Sequence, residues 1–102
     1  MRTTLNIGLQ VTPRLFNTLG EVLTEVRAAG IHVGQFKIAN STTEPTVVIE
    51  SDDDVLPQEA YRIAKALLQD CIAVENRDGT RGLYGPRAEK WLPFNPEFFI
   101  TF

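Results

Sequence analysis

The chain has 102 residues, 43% hydrophobic and 23% charged, with a net charge of −3, which fits one globular domain over residues 1–102 and excludes a disordered chain. Its single cysteine, Cys71, excludes an internal disulfide, its apolar runs fall far short of the ~18 residues a membrane span needs, and Met1–Leu5 lacks the apolar stretch of a secretory signal. A cytoplasmic protein is expected, and a pI near 5.0 argues against direct nucleic-acid binding, which needs a concentrated positive field.

Leu5, Ile7, Leu9 and Val11 alternate with polar or small residues, the period of a half-buried strand. Thr12-Pro13 reads as a helix start, because threonine caps and proline suits the first turn. Leu15, Phe16, Leu19, Val22, Leu23 and Val26 follow at helical spacing, and Gly30 ends the helix. Ile31 to Asn40 reads as a second strand whose parity switches at Gly34-Gln35, which predicts a β-bulge. Ser41 to Pro45 is turn chemistry, and Thr46 to Glu50 is a third strand paired antiparallel with the second.

Ser51-Asp52-Asp53-Asp54 precedes Pro57-Gln58-Glu59, a pattern read as a capped helix N-terminus. Ala60, Ile63, Ala64, Leu67 and Leu68 form the apolar face of this second helix. Cys71 to Asn76 is a fourth strand, and Asp78-Gly79 predicts a hairpin to a fifth strand over Thr80 to Tyr84. Pro86 to Trp91 reads as one helical turn, Leu92 to Pro96 as a loop, and Glu97 to Phe102 as a terminal strand.

The expected fold is therefore α+β: a ferredoxin-like βαββαβ core over residues 1–77, with an antiparallel sheet, two helices on one face, and a C-terminal hairpin arm and aromatic tail over 78–102. Val48 and Ala73 fall on the other sheet face. That face calls for a cover, either the tail or a second copy of the chain.

Charge is uneven. Residues 52–78 hold three basic groups against seven acidic ones, a net of −4, while the flanking parts sum to about zero and +1. Glu50, Asp52, Asp53, Asp54 and Glu59 form a candidate partner-binding patch. Three consecutive aspartates lack the alternate spacing and glycine of a calcium loop, so no metal is expected. Trp91, Phe94, Phe98, Phe99 and Phe102 crowd five aromatics into twelve residues, either completing the core or forming an interface, most simply of a homodimer.

Arg81 and Arg87, beside Gly79, Gly82 and Gly85, are weak anion-site candidates. The glycine spacing matches no phosphate loop and is better explained by turns. His32 and Cys71 are the only histidine and thiol. Nothing in the pattern pairs them as nucleophile and base, so no catalytic residue and no cofactor are expected.

Asp70-Cys71-Ile72-Ala73-Val74, Leu83-Tyr84-Gly85-Pro86, Trp91 and Phe94-Asn95-Pro96-Glu97-Phe98-Phe99 resemble small accessory proteins of bacteriophages and plasmids over residues 70–99. The resemblance implies a bacterial or phage origin and a compact fold. It also implies membership of a class that includes inhibitors of host defence such as anti-CRISPR proteins. The leading expectation is a non-catalytic protein-binding module, with the acidic patch steering it onto a basic nucleic-acid-binding surface of a host complex and the aromatic tail anchoring it. The alternatives are a small-ligand-binding or regulatory dimeric domain, and then an enzyme with an unrecognised site.

Overall fold

The alternation at the start of the chain builds β1 (Thr3–Gly8), the central strand of the sheet. The computed structural model describes residues 2–40, 44–93, 95 and 99–102. After β1 come β2 (Gln10–Thr12), β3 (Leu15–Phe16), α1 (Leu19–Ala28), β4 (Gln35–Asn40), β5 (Pro45–Ser51), α2 (Pro57–Ala66), β6 (Ile72–Glu75) and β7 (Arg81–Tyr84), then a 3-10 turn at Ala88–Trp91. The fold is α+β: a five-stranded antiparallel sheet ordered β4-β5-β1-β6-β7, two helices, and a small β2–β3 hairpin.

The register assigns the two sheet faces. Leu5 lies opposite Ile49 and Val74, and Ile7 opposite Val47. These residues join Val22, Val26, Ala60, Ile63 and Leu67 of the helical layer in one buried core. Each fully buried aliphatic side chain contributes about 1.5–3 kcal/mol.

On the other face, Asn6 lies opposite Val48 and Ala73. The aromatic tail covers it. Val48 is 0% exposed and Phe99 only 8%. The Asn6 side chain clamps the tail: Nδ2 donates to the Ile100 carbonyl at 2.9 Å, and Ile100 N–H donates to Oδ1 at 3.0 Å. Lys37 donates to the Thr101 carbonyl at 3.2 Å and sits over the Phe102 ring, and Arg81 sits over Phe99, contacts worth about 0.5–1 kcal/mol each where exposed. Residues 99–102 thus cover the sheet through side chains and are not a strand. The Glu97 and Phe98 part of the expected strand lies outside the described residues, as does most of the Ser41–Pro45 turn.

Three local expectations are corrected. Thr12-Pro13 starts a hairpin turn, not a helix: Thr12 Oγ1 accepts from the N–H groups of Arg14 and Leu15, the local bonding by which threonine also makes turns. The helix begins six residues later, where Thr18 is the cap: its Oγ1 accepts from the Glu21 N–H and donates to the Glu21 carboxylate, both at 3.1 Å, and Leu15 and Phe16 are exposed on β3. The irregularity expected at Gly34-Gln35 lies at the head of β4: pairing with β5 runs without a shift from Gln35–Glu50 to Asn40–Pro45, and Gly34 N–H also donates to the Glu50 carbonyl at 2.9 Å, so two residues face Glu50 as in a bulge, with Ile31 and Val33 before the strand. The aspartates do not cap α2. Leu56 occupies the cap position, and its N–H donates to the Glu59 carboxylate at 2.9 Å. Leu68 leaves the apolar face of α2 and is 62% exposed.

Candidate functional site

The predicted partner-binding acids gather mainly where β1 begins and β5 ends, and each holds a polar contact within the chain. Arg2 bridges Glu50 at 3.0 Å and Asp52 at 3.3 Å. Asp53 accepts the His32 N–H at 2.8 Å. Asp54 takes two hydrogen bonds of 3.1 Å from Arg77, which hold its carboxyl below the usual range. Glu59 is used at the start of α2. Much of the acidity that reads as a run along the chain is thus matched in space by cations distant in sequence.

Of the aromatic candidates, Phe99 is buried against the sheet, Phe102 is partly exposed beside Lys37, and Trp91 is half-exposed. Phe94 and Phe98 lie outside the described residues. Arg81 and Arg87 are not brought together. Arg81 pairs with Glu75 at the end of β6, and Arg87 with Asp70 before its start. His32 and Cys71 are also apart. His32 sits beside Asp53, just past the Thr3–Ser51 end of the sheet, whereas Cys71 precedes β6 near Gly8.

The opposite end of the sheet holds a cavity of 430 Å³, within the range of small-molecule sites. Its walls come from the end of β1, the β2–β3 hairpin, residues Glu44 and Thr46, the junction from Leu68 to Cys71, Leu83 on β7, and Trp91 with Pro93. Local bonds assemble these distant pieces. Leu9 N–H donates to the Pro45 carbonyl at 2.9 Å, Asn17 N–H to the Leu9 carbonyl at 2.8 Å, and Asn17 Nδ2 to the Leu67 carbonyl at 2.8 Å, tying the hairpin base to the end of α2. Gly8 and Glu44 approach closely: a Cβ at position 8 would displace the Glu44 carboxylate from its place in the wall.

Three titratable groups line the cavity. Burial pushes the Glu44 carboxyl up, the Gln10 N–H opposes this, and the Asp70 charge adds to it. Asp70 is pulled down, first by Arg87 and then, against some burial, by the Trp91 indole. Its Oδ1 accepts from Arg87 Nε at 2.7 Å and its Oδ2 from Trp91 Nε1 at 3.2 Å. Burial, with the Asp70 and Glu44 charges behind it, pushes the Cys71 thiol up to about 11, so at neutral pH it is a protonated thiol and a poor nucleophile.

Two further residues stand out. Gln69 lines the cavity and is 7% exposed, and its Nε2 is buried with no hydrogen-bond partner among the described residues. A buried unpaired amide N–H costs about 1–3 kcal/mol. Leu68 also lines the cavity and has φ +57°, a left-handed conformation that costs a non-glycine residue roughly 1–2 kcal/mol. Unpaired polar atoms and strained backbone cluster at binding sites.

Sequence reasoning missed Glu44, Leu68 and Gln69. A faint signal existed in Leu67-Leu68-Gln69-Asp70, a helix end with no glycine. Among the described residues no group of three or more histidine, cysteine or acidic side chains is arranged to hold a metal, and no helix is long and apolar enough to cross a membrane. Comparison with family models, with curated proteins and with solved structures returned no match.

Proposed function

We propose that this chain is a non-catalytic, small-ligand-binding α+β domain of the cytoplasm, with its ligand held in the cavity at the Gly8 end of the sheet. The observation that carries this reading is the pair Leu68 and Gln69. Two adjacent residues each carry a folding cost, and both line the same cavity. A non-catalytic role is supported by the protonated Cys71 thiol and by Asp70, whose two oxygens are already engaged by Arg87 and Trp91. The order β4-β5-β1-β6 is compatible with a ferredoxin-like core extended by β7, and such sheets commonly host ligand sites.

Trp91 is the only tryptophan and lines the cavity, so its fluorescence reports on the site. A metabolite screen read by thermal shift and by Trp91 emission is expected to give a compound that changes both. At a concentration about 100 times its Kd, such a ligand stabilises the fold by about 2.7 kcal/mol. A screen in which every stabilising compound leaves Trp91 emission and cavity resonances unchanged overturns the reading.

A second reading, a protein-binding module of a phage or mobile element, is favoured by one observation. Edge strand β4 exposes Phe36 and Ile38 side by side on its core-facing side, and edge strands are natural pairing surfaces. Here the host complex or a second copy would meet β4, with the acids around Asp52–Asp54 at the rim. A β4 substitution, Ile38→Lys, that abolishes capture of a partner or a dimer supports it. Unchanged solution mass and partner binding sink it.

A further inference from the structure

The cavity's chemistry narrows the class of ligand, an inference that rests on the small-ligand reading. Among the described residues, the charged side chains lining the cavity are the carboxylates of Glu44 and Asp70, and no lysine, arginine or histidine lines it. Arg87 stands behind Asp70, bonded to it. The remaining walls are largely apolar: Val11, Leu68, Leu83 and Pro93, with the Trp91 ring.

The two carboxylates give the cavity wall a negative field, and Cys71 lies within it. After burial, the causes that oppose its ionisation are the charges of Asp70 and Glu44. What resists a thiolate resists any anionic ligand in the same place and favours a cation. Independently, Gln69 lacks a partner for its amide nitrogen. This atom is buried in a side chain that lines the cavity. A buried donor of this kind selects for a hydrogen-bonding atom and against its absence.

We infer that the cavity takes a small organic cation: a protonated amine directed toward Glu44, with the Asp70 charge behind it, on an apolar or aromatic body packed by Leu68 and Trp91, with an oxygen within reach of Gln69. Anionic metabolites and nucleotides are disfavoured by the same walls.

Three probes of similar shape test this: tyramine, which is cationic, 4-ethylphenol, which is neutral, and 4-hydroxyphenylpropionate, which is anionic. Each is titrated to about 10 mM, the range expected of fragment-sized ligands, and followed by the NMR signals of the Trp91 indole and the Gln69 amide. Tyramine is expected to shift both signals and to bind about 10-fold tighter than 4-ethylphenol, the ratio one exposed charge contact supports, while the acid shifts neither. Glu44→Gln is expected to remove most of the tyramine advantage. If that variant misfolds, 0.5 M salt applied to the unaltered protein is the substitute, since screening at that strength weakens a charge contact and spares 4-ethylphenol. Equal binding of the three probes, preference for the acid, or tyramine affinity indifferent to both Glu44→Gln and salt overturns the cation assignment and leaves the cavity as a ligand site. Silence of both signals toward all three overturns the assignment and the ligand-site reading together.

Discussion

Both helices end in the same hydrogen-bond pattern and fill it with different residues. At the end of α1, Gly30 N–H donates to Arg27 and Ile31 N–H to Val26. At the end of α2, Leu68 N–H donates to Lys65 and Gln69 N–H to Ala64. Each is a Schellman motif, in which the first residue past the cap turns left-handed and the next packs an apolar side chain back on the helix. Gly30 and Ile31 follow that logic: φ is +82° at the glycine, and Ile31 is buried in the core. Leu68 and Gln69 break it twice, with a leucine where glycine is unstrained and an amide where an apolar side chain belongs. The α1 end faces the ion-paired rim of the sheet, and the α2 end faces the cavity. The difference teaches that the α1 terminus is built for folding alone, whereas the α2 terminus keeps side chains that folding does not require.

Substitutions at matched positions break or sharpen this contrast, and the second residues should show the largest effects. Ile31→Ala is expected to cost about 2–5 kcal/mol as a core truncation. Gln69→Leu should gain about 1–3 kcal/mol by removing an unpaired buried donor, while losing ligand response at Trp91. Urea denaturation reads both, and a destabilised Gln69→Leu would mean that its amide serves the fold after all. At the first residues, Gly30→Leu should cost roughly 1–2 kcal/mol. Leu68→Gly should be neutral or stabilising by up to about 1 kcal/mol, with weaker binding of any cavity ligand. Equal signs at the two sites would erase the distinction.

The smallest effects lie in pH dependence, and they have opposite senses at the two ends. Asp54, held low by Arg77, contributes stability present above its ordinary value of 3.8 and lost as pH falls through its folded value. Cys71, raised from 9.0 to about 11, has no effect below pH 9, where both folded and unfolded chains keep the proton. Between about 9 and 11 the unfolded thiol ionises first, so stability falls as pH rises. Melting curves should show an alkaline loss that Cys71→Ala reduces and an acid loss that Asp54→Asn reduces. An alkaline slope identical in Cys71→Ala would place the thiol outside the cavity's field.

Much of the layout is legible in the sequence. The alternating residues of β1 and β5, the apolar faces of the helices and the Asp78-Gly79 turn are local patterns, and local bonds realise them. Uncovered Val48 and Ala73 pointed to a cover on the second face, and Phe99 and its neighbours supply it. Thr12-Pro13 was misread because a turn and a helix cap use the same threonine oxygen. In the fold the Thr12 oxygen makes the turn, Thr18 caps the helix, and Asn17 bonds the Leu67 carbonyl to hold the hairpin base in place. The acidic run looked like a free surface because Arg2 and Arg77 stand far from it in sequence. The cavity was invisible for a related reason. Its walls come from separate segments, and Glu44, Leu68 and Gln69 are ordinary until the fold gives each a cost or a field.

The clamp between Asn6 and Ile100 joins residues 94 positions apart. Synthesis runs from the N-terminus at about 5–20 residues per second, so β1 leaves the ribosome seconds before the tail that covers it. During that interval the helical face of the sheet is able to form, while Val48 and Asn6 wait on an unsealed surface. The chain therefore passes through a stage in which one face of its sheet is open to chaperones or to a neighbouring nascent chain, and the arrival of Phe99 and Ile100 closes it.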